Sequence, residues 1–209
     1  MTEEPQETET AEALEAHRQK MARIKAAKDR LYASKTEEKG LLMVHTGTGK
    51  GKSTAAWGLA MRCLGHGLKL GIVQFVKGRA VPGERLLLER FPELVTIKIM
   101  GQGFSWESQD RARDTAAARA AFDEAKLMLQ DPELHLVILD ELNIVLRYDQ
   151  LPLDEVLAAL GSRREGLHVV VTGRNAKPEL IEAADLVTEM KLVKHPFRAG
   201  VKGQLGIEF

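Results

Sequence analysis

A glycine-rich segment at residues 46–54 constrains this chain more than any other feature. Its sequence is Thr-Gly-Thr-Gly-Lys-Gly-Lys-Ser-Thr; an apolar run at residues 41–44 precedes it, and residues 55–60 after it are typical of a helix. A strand, a glycine-rich loop and a helix in this order predict a phosphate-binding P-loop, because glycines let successive backbone N–H groups converge on phosphate oxygens. The strict motif has glycine where this chain has Thr46. The context still predicts a bound nucleotide, and a glycine-rich turn without a ligand is the alternative.

The loop chemistry assigns roles to individual residues. Lys52 is expected to supply a positive charge to the phosphates, and the Ser53 hydroxyl is expected to reach Mg²⁺. Lys77 and Arg174 each stand beside a glycine after a later apolar run, which makes them plausible anion contacts. The predicted nucleotide-binding residues are Gly47, Thr48, Gly49, Lys50, Gly51, Lys52, Ser53, Thr54, Arg62, Lys77 and Arg174.

Composition limits the partners and the compartment. The 209 residues are 44% hydrophobic, enough for one α/β unit with a sizeable core. The 30 basic and 30 acidic residues cancel, so charge gives no case for binding nucleic acid or an anionic membrane. No signal peptide or apolar run of membrane-spanning length is apparent, which predicts a cytoplasmic protein. The single cysteine, Cys63, excludes an internal disulfide and is expected to be buried and inert.

The N-terminal region, residues 1–40, is predicted to be an acidic tail followed by a basic helix. Residues 11–32 are rich in alanine, lack glycine and proline, and carry an apolar stripe of Leu14, Met21, Ile24 and Leu31. Because this stripe is too narrow to fold alone, the helix should dock on its own domain or on a second subunit, unless it is simply a solvated basic helix.

Residues 41–209 are predicted to form the P-loop domain. Short apolar runs alternate there with helical stretches, which indicates an α/β fold: a P-loop NTPase-like (RecA-like), mostly parallel sheet with helices on both faces. Ligands of such sheets bind beyond the carboxyl ends of the strands. The predicted strands are 41–45, 70–75, 95–99, 134–139, 169–172 and 186–190, and the predicted helices are 52–64, 84–90, 110–129, 153–160 and 178–183.

Two further segments carry chemistry. The apolar run at residues 136–139 ends in Asp140 and Glu141, and either carboxylate is placed to hold the metal opposite a P-loop. Phe104 and Trp106 lie in a glycine-rich loop, where they are either core aromatics or part of a lid over a flat ligand. There is no Asn-Lys-x-Asp motif to read guanine, and the six histidines show no metal-ligand spacing.

Taken in order, these segments resemble the P-loop-type ATP:cob(I)alamin adenosyltransferases, also called cob(I)yrinic acid a,c-diamide adenosyltransferases. The resemblance runs from about residue 40 to residue 209, and the loop containing Phe104 and Trp106 and the C-terminal segment are specific to it. Ser53 stands where the family often has threonine, and Thr48 where it often has asparagine. Thr46 is usual in this family, and the resemblance implies that ATP is seated in reverse relative to ordinary P-loop enzymes. The segments that carry the resemblance are 46–54, 74–78, 103–107, 139–142, 172–174 and 193–202.

The resemblance implies a reaction and its participants. Co(I) of a reduced corrinoid attacks C5′ of ATP and expels triphosphate, so Lys52, the loop amides and a metal ion stabilise the leaving group. Mg²⁺ (or Mn²⁺) would be held by Ser53 and Glu141, with Asp140 bound to the metal directly or through water. Phe104 and Trp106 would cover the lower face of the corrin and assist its reduction. The implied catalytic residues are therefore Lys52, Glu141, Phe104 and Trp106.

The resemblance also implies a homodimer with a mobile N-terminal helix, and a reductase or flavodoxin as electron donor. Two other functions stay open at this stage. One is a P-loop ATPase or kinase that cleaves at the γ-phosphate. The other is a non-catalytic, nucleotide-gated binding module, for which the basic N-terminal helix is the positive evidence.

Overall fold

A computed structural model describes residues 10–76, 81–100 and 110–208 of the chain. They fall into two compact units, Met1–Glu38 and Lys39–Phe209. The first contains helix α1 (Ala11–Ala33), whose N-terminus is capped by the Thr10 hydroxyl accepting from Ala13 N. Within the described part of the chain α1 buries none of its residues, and the apolar stripe predicted for it is exposed.

The second unit is built on parallel strands. The strands are β1 (Leu42–Thr46), β2 (Leu70–Gln74), β3 (Val95–Ile99), β4 (Leu136–Asp140), β5 (His168–Thr172) and β6 (Leu186–Glu189). In the described residues they form one sheet in the order β3-β2-β4-β5-β1-β6, and every pair is parallel. The predicted α/β fold and all six predicted strands are thus confirmed, and no strand end differs from its predicted position by more than two residues.

Helices connect the strands as a parallel sheet requires. They are α2 (Lys52–Gly65), α3 (Gly83–Leu88), α4 (Arg111–Gln130), α5 (Leu142–Arg147), α6 (Leu153–Gly161) and α7 (Pro178–Ala183), followed by a 3₁₀ turn at Pro196–Ala199. The sequence did not predict α5 or the 3₁₀ turn. The apolar residues of α5 follow the apolar run of β4 after only Asp140 and Glu141, and α5 is only six residues long. A run this short does not reveal whether it forms a strand or a helix.

Alternation along the strands divides the described core into two layers. Residues such as Val44, Leu139 and Val171 pack with α4, α5 and α6 on one face, and their neighbours Met43, Ile138 and Val170 pack with α2 on the other. Both faces are therefore covered, and the ends of the strands are left as the place for a ligand. No helix in the described residues has the length and apolarity needed to cross a membrane.

Candidate nucleotide-binding site

The P-loop connects β1 to α2 at the carboxyl edge of the sheet. Gly47 and Gly51 adopt positive φ angles of 97° and 104°, which favour glycine. Gly49 N donates to Met190 O at 2.6 Å, and Met190 N donates to Thr46 O at 2.9 Å. A Cβ on Gly47 would lie 2.5 Å from Met190 O, and one on Gly49 would lie 2.7 Å from the same oxygen. The glycines are therefore required where the loop packs against the backbone that follows β6.

Lys52 is folded into the loop it follows. Its side chain is only 6% exposed, and its Nζ donates to Gly49 O at 2.5 Å. An ammonium group has three donors, so two remain for a ligand. Burial lowers the pKa of Lys52, the carboxylate of Glu141 opposes that shift, and the positive charges of Arg174 and Lys50 add to it. These three cations are thus close enough to repel one another, as expected where an anion is to bind.

Lys50 is more exposed and has a partner near the C-terminus. Its Nζ forms an ion pair with Glu208. Burial, and then the charge of Arg174, lower the pKa of Lys50. The C-terminal segment therefore reaches the same loop that is predicted to bind phosphate.

Asp140, at the end of β4, is buried beneath the loop and held by four side chains. It is 2% exposed. Thr172 Oγ1 donates to its Oδ1 at 2.7 Å and Gln74 Nε2 donates to its Oδ2 at 3.3 Å. Ser53 and Trp57, one turn apart on α2, also hydrogen-bond to it. Burial raises the pKa of Asp140, and these hydrogen bonds oppose that rise.

Glu141 is the strained residue of the site. Its φ of 62° is left-handed, although it is not glycine. Its N–H donates to Thr172 Oγ1 at 2.9 Å, which fixes the backbone, but its Oε2 is buried without a hydrogen-bond partner among the described residues. Burial, and then the charge of Asp140, raise the pKa of Glu141 to about 7, against the opposing effect of Lys52 and Arg174.

These oxygens fit a divalent cation. A buried carboxylate oxygen without a partner is costly unless a ligand completes it. Glu141 Oε2 meets that description, and the Ser53 hydroxyl and the Asp140 carboxylate supply the hard oxygen donors that Mg²⁺ prefers. No group of three or more His, Cys, Asp or Glu side chains in the described ranges has the geometry of a metal site. The oxygens of Ser53, Asp140 and Glu141 therefore suit an ion whose other ligands are water and phosphate oxygens.

A cavity of about 390 Å³ opens beside these groups. It extends from Ser53 and Trp57 on α2, past Asp140 and Glu141, to the C-terminal segment. Its polar floor and partly apolar walls are typical of small-molecule sites. The lining residues described are Ser53, Thr54, Trp57, Gln74, Val76, Pro82, Gly83, Glu84, Asp140, Glu141, Gly206, Ile207 and Glu208.

Most of the predicted site residues meet at this edge of the sheet. Those brought together are Gly47, Thr48, Gly49, Lys50, Gly51, Lys52, Ser53, Thr54, Asp140, Glu141 and Arg174. Arg62 is not among them: it lies in the last turn of α2 and lines a separate cavity of about 210 Å³ with His66, His135 and His168. Lys77, Phe104 and Trp106 lie outside the described residues.

The sequence did not identify several residues that shape the site. Thr172, Gln74 and Trp57 hold Asp140, and Asn143 is fully buried with its Oδ1 unpartnered among the described residues. Gln74 and Thr172 end the strands that flank β4. The signal available in the sequence was that each of these polar residues stands at the end of a predicted strand.

A family profile and several sequence relatives indicate the same family. The sequence profile of ATP:corrinoid adenosyltransferase BtuR/CobO/CobP matches residues 38–209. A corrinoid adenosyltransferase of Pseudomonas aeruginosa is 54% identical over 201 residues, which cover 96% of this chain and 99% of that protein. One from a Sinorhizobium species is 51% identical over 195 residues, covering 92% of this chain and 91% of that protein. Corrinoid adenosyltransferase CobA of Salmonella typhimurium is 46% identical over 195 residues, covering 93% and 98%.

Proposed function

Because the chain belongs to the ATP:corrinoid adenosyltransferase family, we propose that it transfers the 5′-deoxyadenosyl group of ATP to the Co(I) centre of a corrinoid, in adenosylcobalamin synthesis or corrinoid salvage. The electron pair on Co(I) forms the cobalt–carbon bond at C5′. The C5′–O bond breaks, and its electron pair leaves with inorganic triphosphate. No proton is removed from the nucleophile, so the reaction needs no general base.

The observation that carries this proposal is the concentration of cations around the P-loop. A triphosphate leaving group carries several negative charges, and its departure is favoured by fixed positive groups in a site with little water. Lys52 Nζ makes one hydrogen bond within the described residues, to Gly49 O, and Lys50 and Arg174 are close enough to lower its pKa. The loop amides and the N-terminus of α2 add their dipoles.

We propose that Ser53 and Glu141 hold Mg²⁺ or Mn²⁺, with Asp140 acting through Ser53 or water. The bound cation would neutralise charge on the departing triphosphate. Asp140 is suited to orienting Ser53, because it hydrogen-bonds to that side chain and is itself fixed by hydrogen bonds from Thr172, Gln74 and Trp57. The variant E141Q should need a higher Mg²⁺ concentration for half-maximal activity. An unchanged metal titration would show that Glu141 is not a ligand.

We propose that Phe104 and Trp106 pack against the lower face of the corrin and keep an axial donor off cobalt. Removing that donor makes Co(II) easier to reduce. F104A and W106A should lose most activity when a weak protein reductant, a reductase or flavodoxin, must generate Co(I) on the enzyme. They should retain much more when Co(I) is supplied chemically. Equal losses in the two assays, together with a lower melting temperature, would identify them as core aromatics.

We propose that the enzyme is a homodimer in which the apolar stripe of α1 covers the corrinoid site of the neighbouring subunit. Within the described residues, Met21 and Ile24 are 41% exposed, and an exposed apolar stripe on a helix is expected to find a partner. The double variant M21K/I24K should bind ATP normally and corrinoid poorly. Q19K, the same substitution on the opposite side of the helix, is the control. Unchanged corrinoid affinity of the double variant would contradict the proposal.

A second candidate function is ATP hydrolysis, and one observation favours it. A carboxyl group with a pKa of about 7 and an unpartnered oxygen is suited to activate water. The two functions differ in their products. With ATP, Mg²⁺, a chemical reductant and a panel of corrinoids, adenosyl transfer yields triphosphate only when reduced corrinoid is present. ADP formed without corrinoid would establish the ATPase or kinase function, and no turnover under any condition would leave a nucleotide-binding module.

A further inference from the structure

Thr46, the residue that departs from the strict P-loop pattern, connects the loop to a distant segment. Its Oγ1 accepts from Ala176 N at 3.0 Å across 130 positions of the chain. Thr46 is 7% exposed. A glycine at this position would leave the part-buried Ala176 N–H without that acceptor, and the loss of such a hydrogen bond is destabilising. Threonine therefore contributes a contact that the usual glycine does not make.

The segment held by Thr46 follows β5 and carries Arg174. Gly173 has a φ of 127°, and its N–H donates to His45 O at 3.2 Å. Gly173 O accepts from Asn143 Nδ2 at 3.1 Å. Gly173, at the start of this segment, is thus bonded to both β1 and α5, and Ala176, at its end, is bonded to β1.

There is no space for a side chain at Gly173. A Cβ there would lie 2.8 Å from Asn143 Cβ and 3.1 Å from Glu141 Oε2. The buried side chain of Asn143 therefore packs against the same glycine whose carbonyl oxygen it binds. A shift of Asn143 would move the backbone that leads into Arg174.

The charge of Arg174 acts where the anion is expected. It lowers the pKa of Glu141, Lys52 and Lys50. Arginine has a long side chain with many rotamers, so its average position depends on where its backbone is held. The hydrogen bonds from Thr46 and Asn143 supply that constraint.

We propose that Thr46 and Asn143 are positioning residues for Arg174, and that together they aim its guanidinium at the triphosphate of ATP. The proposal rests on the proposed function in one respect: the anion is taken to be triphosphate. It gives a physical reason for threonine at the first position of this P-loop. Neither residue needs to touch the substrate.

The experiment is a double-mutant cycle between Thr46 and Arg174. T46V removes the hydroxyl and keeps the shape of the side chain, T46S keeps the hydroxyl, and R174A removes the cation. The dissociation constant of inorganic triphosphate with Mg²⁺ is measured by calorimetry, without corrinoid. T46V should weaken binding about fivefold, as expected for one lost hydrogen bond, and T46S should bind close to wild type.

In the R174A background the same T46V substitution should change the dissociation constant less than about twofold, because residues that act as one unit are not additive. N143L should behave as T46V does and should likewise lose its effect in R174A. An equal effect of T46V in both backgrounds, or a T46S variant as defective as T46V, would overturn the proposal. If T46V fails to fold, T46C provides the comparison, since a thiol is a weak acceptor.

Failure of the proposed function would have a different signature. Wild-type enzyme that binds triphosphate, shows the predicted coupling and forms no adenosylcorrinoid would contradict the function and retain the positioning roles. Wild-type enzyme that forms adenosylcorrinoid but shows no coupling between Thr46 and Arg174 would retain the function and contradict the positioning roles. In active enzyme, T46V should raise KM for ATP more than it lowers kcat.

Discussion

The two edges of the sheet use charged side chains in opposite ways. At the amino edge, Arg163 donates to Leu160 O and Gly40 O, each at 2.7 Å, and to Leu167 O at 3.3 Å. At the carboxyl edge, Lys52 makes one bond within its loop and Glu141 leaves a buried oxygen unpartnered among the described residues. Arg163 at the first edge completes the hydrogen bonding of the backbone, whereas Lys52 and Glu141 at the second edge keep hydrogen-bonding capacity that a ligand can use.

Other residues at the amino edge follow the same rule. Asp185 Oδ2 accepts from Leu42 N at 2.8 Å, and His168 Nδ1 accepts from Leu41 N at 3.1 Å. Arg164 bonds to Asp131 O and Leu134 O. At the other edge, Glu141 and Asn175 are non-glycine residues with left-handed backbone, at φ angles of 62° and 56°. Unsatisfied polar atoms together with backbone strain therefore distinguish a functional edge from a structural one in this fold.

The largest expected effect is that of K52A. Removing the charge beside the leaving oxygens should lower kcat by at least about a thousandfold, or about 4 kcal/mol of barrier, since the site cannot replace the charge with water. The melting temperature should change little, because the charge of Lys52 is repelled by Arg174 and Lys50 when no anion is bound. Steady-state kinetics and thermal unfolding measure the two effects. Near-normal turnover would refute the assignment of Lys52.

R163A is the matched substitution at the amino edge. It is expected to lower the stability of the protein and to leave kcat unchanged, the opposite of what is expected for K52A. It leaves three backbone carbonyls without their donor, which should cost about 2 to 4 kcal/mol of unfolding free energy. Enzyme that remains folded should keep its kcat. Chemical denaturation gives the stability, and a loss of kcat at temperatures where the variant is fully folded would break the comparison.

The next largest effect concerns the pH dependence of stability. The pKa of Glu141 is raised from 4.5 to about 7 in the folded protein, so its ionised form is disfavoured by folding. The protonated form contributes stability that is present below pH 4.5 and is lost as the pH rises to about 7, amounting to at most about 3 kcal/mol. E141Q removes the ionisation. It should therefore match wild type near pH 4 and be more stable than wild type at pH 8.

Thermal unfolding of both proteins in a chelating buffer measures this difference. The matched control is E84Q, which changes a carboxylate elsewhere on the cavity wall. A stability difference between E141Q and wild type that does not vary with pH would show that the buried charge of Glu141 carries no cost. A raised pKa of Glu141 would then not distinguish the carboxyl edge of the sheet from the amino edge.

Much of this contrast was accessible from the sequence. The glycine spacing at residues 46–54 predicted the loop, and the apolar run ending in Asp140 and Glu141 predicted the carboxylates opposite it. Parallel strands deliver their ends to one edge, so Arg174 was also expected there. Adjacent residues define each of these features, and local patterns are what a single sequence reveals.

The remaining features depend on contacts between distant residues. The bond from Ala176 to Thr46 spans 130 positions and that from Thr172 to Asp140 spans 32, and nothing in the local sequence indicates either partner. The position of Arg62 in the fold was hidden for a related reason. It is a cation on the P-loop helix, but the helix runs away from the loop, and Arg62 lies at its far end.

The smallest expected effect is that of E208Q. The ion pair between Glu208 and Lys50 is partly exposed, with 22% and 49% of the two side chains accessible, so its contribution to stability should be below about 1 kcal/mol. The Glu208 carboxylate competes with phosphate for Lys50, so E208Q should bind ATP a few times more tightly. Calorimetry measures this change, and weaker binding would show that Glu208 assists the nucleotide.

The most direct test of the account follows the bond that breaks. ATP that carries ¹⁸O at the oxygen between C5′ and the α-phosphorus is mixed with wild-type enzyme, Mg²⁺ and chemically reduced corrinoid. Mass spectrometry then measures the ¹⁸O content of each product. The account predicts that all of the label appears in inorganic triphosphate, with one adenosylcorrinoid formed per triphosphate and no product when Co(I) is withheld. Label retained in ADP, with release of unlabelled phosphate independent of corrinoid, would contradict it.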